Sequence, residues 1–273
     1  MTDQFDLEPF AVSVPDQAVN DLRGRLADTR WADQLPETGW DYGCDGEWLR
    51  KLAGYWADGF DWRNAEARIN AFDQVITTID GQQIHTVHQR SPEPDAIPLL
   101  LSHGWPGSIV EFLLVLGPLT DPASHGGDPD DAFHVIAPSL PGYAWSGPTT
   151  EPGWGPHRMG GAFIELMNRL GYDRYGVQGG DWGSEISQQV AGQAPEHVIG
   201  CHVNMIAAFP PGQEDDHDDI TPVEQGHLDR FADFNATGRA YFELQRTKPQ
   251  TVGVGLHDSP AGLLVWIGEK FHG

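Results

Sequence analysis

The chain has little positive charge and no long apolar run. Lysine and arginine together number 16 against 40 aspartates and glutamates, a formal net charge of −24 over 273 residues. Such a surface repels phosphate backbones and anionic lipid, so the composition disfavours nucleic-acid and membrane-surface functions. No apolar run reaches the length of a membrane helix, and residues 1–6 lack the basic-then-apolar order of a signal peptide.

Cysteine is also scarce. Cys44 and Cys201 are the only two cysteines, and they lie far apart in the sequence. Two cysteines so far apart predict buried free thiols in a reducing compartment rather than a disulfide framework. We therefore expect a cytoplasmic protein that acts on a small molecule, with no nucleic-acid or membrane partner; a homodimer is left open.

The spacing of apolar residues changes along the chain. Residues 14–56 have helical spacing, which predicts a helical region lying on a main domain. From residue 74, β-branched runs flank Asp80-Gly81, a dipeptide typical of a hairpin. Strand and helix patterns then alternate, with strands expected near 97–101, 133–138, 175–178 and 198–203. This alternation predicts an α/β fold whose parallel sheet carries helices on both faces.

The alternation ends after Phe209. Residues 212–219 are polar and acidic, and a solvated linker is a better interpretation of them than a metal site that includes His217. Helical spacing resumes over residues 222–234 and 238–246.

The segment Gly179-Gly180-Asp181-Trp182-Gly183 lies between a predicted strand and a predicted helix. Its spacing is that of the sharp turn that presents the nucleophile of an α/β-hydrolase. The central Asp181 is a carboxylate, which can displace a leaving group at saturated carbon and form an alkyl-enzyme ester that water hydrolyses. A carboxylate at this position leaves two candidate reactions, the opening of an epoxide and the cleavage of a carbon–halogen bond. The alternative is an aspartate that only caps the following helix.

Other motifs accompany this turn in a characteristic order. They are Ile84-His85, His103-Gly104-Trp105-Pro106-Gly107-Ser108, Pro138-Ser139-Leu140-Pro141-Gly142-Tyr143, Gln245-Arg246-Thr247-Lys248-Pro249 and Asp258-Ser259-Pro260-Ala261-Gly262. With this set the chain resembles the epoxide hydrolases of the microsomal type, including their bacterial and juvenile-hormone relatives, over essentially its whole length. The resemblance implies an α/β-hydrolase fold with an N-terminal helical extension and first hairpin (1–95), a core (96–208) and a partial helical cap (209–273).

The resemblance also implies the roles of individual residues. Asp181 is the expected nucleophile, and Tyr241 is the expected cap phenol that hydrogen-bonds the epoxide oxygen and supplies a proton. The backbone N–H groups of Trp105 and Trp182 are the expected oxyanion hole for ester hydrolysis. Trp105, Pro106, Trp182 and Tyr241 are expected to contact the substrate, and the Trp105–Pro106 bond is a candidate cis peptide. No cofactor and no metal ion is implied.

The match lacks one part of the family's pattern. Complete members continue beyond the position of Gly273, and that part carries the triad acid, its histidine and a second cap tyrosine. We therefore interpret the sequence as a partial chain or a natural deletion. His103 is expected to support the oxyanion turn, His202 lies in a predicted strand, and His272 is placed at a frayed end, so none replaces the missing histidine. Asn204 stands where some relatives place the acid, and it is not a carboxylate.

Two other functions stay open at this point. A haloalkane dehalogenase also uses an aspartate followed by tryptophan, although Tyr241 and the helical N-terminal region favour an epoxide. A non-catalytic binding or partner-dependent module is the second alternative, since the water-activating groups are not visible. Such a module would alkylate at Asp181 without turnover.

Overall fold

The computed structural model describes residues 7–206 and 220–272. The strands in these ranges are β1 (Glu8–Pro9), β2 (Gln74–Ile79), β3 (Gln82–Gln89), β4 (Ile97–Ser102), β5 (Phe133–Pro138), β6 (Tyr175–Gly179) and β7 (Val198–Val203). The α-helices are α1 (Asp16–Ala27), α2 (Gly46–Gly54), α3 (Trp62–Ile69), α4 (Leu113–Thr120), α5 (Pro156–Arg169), α6 (Trp182–Gln193), α7 (Pro222–Asp233), α8 (Ala240–Thr247), α9 (Pro249–Asp258) and α10 (Pro260–Gly268).

The described residues form two compact units. The first contains residues 7–13 and 63–206, and the second contains residues 14–62 and 220–272. The second unit therefore joins helices from both ends of the sequence. The boundaries expected at residues 95 and 208, and the placement of the N-terminal helices on a main domain, stay predictions.

The first unit is built on one mixed sheet with the strand order β1-β2-β3-β5-β4-β6-β7. The strands from β1 to β5 pair antiparallel in this order, whereas β5, β4, β6 and β7 pair in parallel. The predicted α/β class is confirmed. The predicted hairpin is confirmed as well: Ile79 pairs with Gln82 across Asp80 and Gly81, whose φ angles of 50° and 74° suit a tight two-residue turn.

Helix α5 shows how the apolar spacing builds the core. Met159, Phe163, Leu166 and Met167 follow helical spacing and are all buried, so α5 turns a single apolar face inward. The same core cluster includes residues of α6 and of the sheet, among them Ile186 and the fully buried Ile84, Leu100 and Ile136. Burying each large aliphatic or aromatic side chain contributes about 1.5–3 kcal/mol to folding. This packing fixes β6 against α6, and the nucleophile turn lies between them.

His85 is a fully buried polar residue of the sheet. Its Nδ1 lies 2.9 Å from Ser139 Oγ and its Nε2 lies 3.0 Å from Gln74 Oε1. The His85 backbone N–H donates to Ser146 Oγ at 3.0 Å. Burial lowers the pKa of His85 to about 4, so the ring is neutral near pH 7. The pair of hydrogen bonds compensates for removing the ring from water.

The second unit is held by a small apolar cluster. Its buried members are Leu26, Ala53 and Ala57, against which Leu22, Trp31, Trp56 and Leu264 pack. Arg25 Nη1 donates to the carbonyl oxygen of Asp258 at 2.9 Å, which also connects α1 with the end of α9. The rings of Trp40 and His272 stack at 4.0 Å, although His272 is exposed, and the expectation of a frayed end stays a prediction.

The two cysteines differ in their surroundings. Cys44 is buried, and its Sγ donates to the carbonyl oxygen of Val265 at 3.5 Å. Cys201 is exposed, so the prediction of a second buried thiol is wrong. The reason is its position on β7, the last strand in the order, whose side chains are largely uncovered among the described residues.

Two expectations concern ions and membranes. The acidic residues 212–219, including His217, lie outside the described residues. Within the described ranges, no group of three or more histidine, cysteine, aspartate or glutamate side chains has a metal-binding arrangement. None of the helices described has the length and apolarity of a membrane span.

Candidate active site

Asp181 occupies a sharp turn between β6 and α6. Its φ of 51° and ψ of −127° are unusual for a residue with a side chain and are the backbone of a nucleophile turn. The chain can turn this tightly because neighbouring positions lack Cβ atoms. A Cβ on Gly183 would collide with the carbonyl oxygen of Ser102, and one on Gly179 would collide with the carbonyl group of Gly183. The structure thus explains why glycines stand on both sides of Asp181.

The Asp181 carboxylate points away from its own helix. It makes no capping hydrogen bond to the first turn of α6. Instead, Oδ1 accepts a 2.8 Å hydrogen bond from the backbone N–H of Trp105. The alternative of an aspartate that only caps the helix is therefore wrong. Among the hydrogen bonds of the described residues, none involves the second carboxylate oxygen.

The Trp105 N–H is aimed by a turn that follows β4. His103 Nδ1 donates to the carbonyl oxygen of Gly104 at 3.0 Å, and His103 Nε2 accepts from the Leu140 N–H at 3.1 Å. These two bonds define the neutral tautomer with the proton on Nδ1. The Trp105–Pro106 peptide bond is cis, as predicted.

His103 therefore has the supporting role expected from the sequence. Burial lowers its pKa below the usual value, against smaller opposing effects of the Gly104 hydrogen bond and Asp181. His202 lies in β7, as predicted. Within residues 7–206 and 220–272, no histidine ring hydrogen-bonds Asp181. The groups that activate water are not among the contacts of Asp181 in the described part of the chain.

Asn204 lies next to the nucleophile turn. Its backbone N–H donates to the carbonyl oxygen of Gly179 at 3.3 Å. A Cβ on Gly180 would collide with its carboxamide oxygen, so this side chain packs directly against the turn. Ser184 Oγ, in the first turn of α6, donates to the carbonyl oxygen of Met205. The position expected for a triad acid in some relatives is thus close to Asp181 but carries an amide.

Tyr143 is a residue of this site to which sequence reasoning gave no role, although its motif was recognised. Its ring contacts His103 edge-to-face, with centroids 5.4 Å apart. Burial, and then the charge of Asp181, raise the pKa of the phenol to about 12. The hydroxyl therefore stays protonated and remains a hydrogen-bond donor. Positive φ angles at Gly142 and Ala144, 86° and 42°, bend the chain on both sides of it.

Glu111 was missed altogether. Burial of the carboxyl raises its pKa, the charge of Asp181 acts in the same direction, and the backbone of Gly104 acts in the opposite direction. The residue as a whole is exposed, yet a Cβ on Gly107 would lie only 2.9 Å from its Oε1. The spacing Ser108-x-x-Glu111 is that of a capping box and could have drawn attention to it.

The remaining predicted site residues fall into two groups. In the first unit, Trp105 is half-buried, Pro106 is exposed, and the Trp182 residue is 48% exposed beside Asp181. Their apolar surface is accessible to a substrate. In the second unit, Tyr241 lies in α8, with Lys270 Nζ 4.6 Å from its ring centroid. The approach of Tyr241 to Asp181 stays a prediction.

Comparison with known proteins agrees with this geometry. The sequence pattern described as "alpha/beta hydrolase fold" matches residues 97–252, and the one described as "Epoxide hydrolase N terminus" matches residues 7–112. The fold and the nucleophile turn define an α/β-hydrolase.

Solved structures and curated relatives narrow the class. The structure of Aspergillus niger epoxide hydrolase has a TM-score of 0.86 and 35% identity, covering 98% of this chain and 70% of that chain. The structure of juvenile hormone epoxide hydrolase from Bombyx mori has a TM-score of 0.88 and 34% identity, and the match covers 98% of this chain and 66% of that chain. Epoxide hydrolase 1 of Sus scrofa is 35% identical over 283 residues, 97% of this chain and 62% of that protein. The chain belongs to the epoxide hydrolase family. It spans between 59% and 62% of the length of three curated relatives.

Proposed function

We propose that this chain carries the nucleophilic half of an epoxide hydrolase, and that the complete protein converts an epoxide into a vicinal diol. The observation that carries the proposal is the Asp181 carboxylate, which sits on a positive-φ turn, leaves its helix uncapped and accepts the Trp105 N–H at 2.8 Å. Family membership supports the same chemistry. The relatives named above are epoxide hydrolases.

The first step opens the ring. The free oxygen of Asp181 attacks a ring carbon, an ester C–O bond forms, and the bond between that carbon and the epoxide oxygen breaks. The departing oxygen carries the electron pair and takes a proton from the hydroxyl of Tyr241, leaving a phenolate. Trp105, Pro106 and Trp182 provide apolar surface for the substrate in this proposal.

The second step hydrolyses the ester. Water attacks the acyl carbon, and negative charge develops on the former carboxylate oxygen. The N–H groups of Trp105 and Trp182 are the donors proposed for that charge. The ester C–O bond at the acyl carbon then breaks. One proton of the water goes to the departing diol oxygen, the other restores the phenol of Tyr241, and Asp181 is regenerated as a carboxylate. No cofactor or metal ion takes part in either step.

The test is an intact-mass measurement after exposure to phenyloxirane, followed by peptide mapping. We expect one covalent adduct per chain, located on Asp181, and no adduct on the Asp181→Asn variant. Glu47→Gln changes an exposed carboxylate in α2 and serves as the matched control. An adduct spread over several carboxylates, or undiminished labelling of Asp181→Asn, contradicts the proposal.

The lifetime of the adduct separates the remaining alternatives. A persistent ester identifies a chain that alkylates without turnover, the behaviour of the non-catalytic module. Rapid release of diol shows that water is activated by groups of this chain.

Location and assembly are part of the same proposal. A cytoplasmic protein with a small-molecule epoxide substrate suits the two free cysteines and the net charge of −24. Cell fractionation tests the location: recovery with a membrane or secreted fraction contradicts it. Sedimentation of the purified chain distinguishes a monomer from the homodimer.

A further inference from the structure

The hydroxyl of Ser146 is fully buried and has two hydrogen-bond partners. Its Oγ accepts the backbone N–H of His85 at 3.0 Å, and it donates its own proton to the carbonyl oxygen of Ser139 at 2.6 Å. The direction of both bonds is fixed, because a backbone N–H only donates and a carbonyl oxygen only accepts. The Ser146 hydroxyl therefore holds the peptide unit between Ser139 and Leu140 by its carbonyl end.

His103 holds the same peptide unit by its other end. The Leu140 N–H donates to His103 Nε2 at 3.1 Å, so this ring nitrogen carries no proton. The proton of the neutral ring is then on Nδ1, which donates to the carbonyl oxygen of Gly104 at 3.0 Å. The buried imidazole thus connects the peptide unit 139–140 with the peptide unit 104–105.

The peptide unit between Gly104 and Trp105 completes the series. Its carbonyl oxygen accepts from His103, and its N–H donates to Asp181 Oδ1 at 2.8 Å. The C=O and N–H of a planar trans peptide point in opposite directions, so each unit continues the direction of the preceding bond. Five hydrogen bonds therefore form one chain in which every donor is directed towards the carboxylate, and its members in order are His85, Ser146, the peptide unit 139–140, His103, the peptide unit 104–105 and Asp181.

A hydrogen-bond chain of this kind strengthens its last donor. In the protein interior each bond polarises the next group, and this strengthens bonds in series by about 10–30% per bond. Ser139, Leu140 and His103 are all buried, so little water competes for the inner bonds. The last donor is the Trp105 N–H, which is proposed above to stabilise the charge that develops during ester hydrolysis.

We propose that Ser146 is a positioning residue of the oxyanion hole, which acts through the peptide unit 139–140 and His103 on the Trp105 N–H. This inference rests on the proposed function of Asp181 as nucleophile and of Trp105 as oxyanion donor. Ser146 does not touch the substrate in this proposal. It assists ester hydrolysis rather than ring opening, because the charge on Asp181 decreases as the ester forms and develops on Oδ1 only when the acyl carbon is attacked.

The test uses variants that remove the hydroxyl or keep it. Ser146→Ala removes the hydroxyl, and Ser146→Thr keeps it. Ser139→Ala is the matched control, because the Ser139 side chain is also fully buried and its Oγ also contacts His85, but through the ring Nδ1 at 2.9 Å and outside the chain. Each variant is first compared with the unsubstituted chain in melting temperature. If Ser146→Ala does not fold, Ser146→Cys takes its place, since a thiol is a weaker donor, and a smaller loss in the same direction is expected.

The first readout is the cleavage by hydroxylamine of the ester that phenyloxirane forms with Asp181. Hydroxylamine attacks the acyl carbon without the groups that activate water, and it leaves a hydroxamate at position 181 and the free diol. We expect Ser146→Ala to slow this cleavage about tenfold, a part of the roughly 100-fold or larger loss that follows removal of a whole oxyanion donor. Ester formation should keep its rate in every variant. Unchanged cleavage in Ser146→Ala, or an equal loss in Ser139→Ala or Ser146→Thr, overturns the proposal.

The second readout does not depend on chemistry. In the chain labelled with ¹⁵N-tryptophan, the backbone amide signal of Trp105 is identified by its loss in Trp105→Phe. We expect the amide proton to move upfield in Ser146→Ala, as for a weaker hydrogen bond, and to stay in place in Ser146→Thr and Ser139→Ala. If the unsubstituted chain forms no ester, the proposed function fails, but the amide signal still decides the role of Ser146. An unchanged signal in Ser146→Ala is evidence against that role.

Discussion

The carbonyl oxygen of Ser102 fills the space next to Gly183 that a Cβ atom would need. Ser102 ends β4 and Gly183 is the second residue of α6, so this contact brings the turn that contains Trp105 next to the turn that contains Asp181. Neither backbone can move away easily, since β4 and β6 are paired in register at Ser102 and Gly179.

Replacing Gly183 by alanine is expected to be strongly destabilising. The added methyl group meets backbone atoms, and overpacking of this kind costs about 3 kcal/mol where nothing can yield. Gly192→Ala, in the same helix, is the matched control because no atom lies within 4 Å of its added Cβ. That variant is expected to gain up to about 1 kcal/mol from helix propensity. Urea unfolding of both variants checks the prediction, and equal stabilities would count against it.

The proposed proton donor can be isolated by Tyr241→Phe. The variant keeps the ring over which Lys270 lies and removes only the hydroxyl. We expect ring opening, measured as Asp181 alkylation, to slow about 100-fold or more, the range known for general acids. Tyr42→Phe, at a residue that is 83% exposed, is the control. An unchanged rate for Tyr241→Phe excludes this phenol as the donor.

His85 predicts a dependence of stability on pH. Its folded pKa of about 4 lies below the ordinary value of 6.5, so the folded state favours the neutral ring. The contribution of the neutral His85 ring to the free energy of unfolding is fully present above pH 6.5. It is lost as the pH falls towards 4, and the total loss is about 3 kcal/mol.

The measurement is the free energy of unfolding by urea between pH 7.5 and 4. His85→Gln is expected to be less stable at neutral pH but to lose less stability on acidification. Some dependence should remain, because burial also lowers the pKa of His88 to about 4. The same slope with and without His85 would rule out this assignment.

The leaving group offers a further prediction. An epoxide oxygen departs with the help of a proton, whereas a halide needs N–H donors directed at it. We expect phenyloxirane to label Asp181 and the chloroalkane of the same carbon skeleton to leave it unmodified at equal concentration. Mass spectrometry of parallel reactions decides between the two, and preferential labelling by the chloroalkane favours a dehalogenase.

Local signals were sufficient to predict much of the first unit. The apolar runs of β4 to β7, the Asp80-Gly81 turn and the apolar face of α5 each depend on residues close in sequence. Helix α6 begins at Trp182, immediately after Asp181, which agrees with the predicted turn between a strand and a helix. Helices α9 and α10 were recognised only as motifs, and the packing of α10 beside α1 and α2 requires contacts across more than 200 residues.

The active site shows the same limit. The sharp turn at Asp181 and the cis Trp105–Pro106 bond were predicted because their motifs are compact. The Asp181–Trp105 hydrogen bond spans 76 residues and was not predicted; the resemblance implied only that the Trp105 N–H belongs to an oxyanion hole. Sequence reasoning gave Glu111 no role, because the spacing Ser108-x-x-Glu111 is that of an ordinary cap.

The state of the two sulfur atoms has a practical consequence for covalent labelling. Thiolates are the usual competitors for an electrophile, and their abundance depends on the thiol pKa. Burial, and to a smaller degree Glu269, raise the pKa of Cys44 to about 11, and partial burial of the thiol also raises the pKa of Cys201. At neutral pH both sulfurs are almost entirely protonated, so a strained cyclic ether encounters little background reactivity, and a single mass increment can be traced to an oxygen nucleophile.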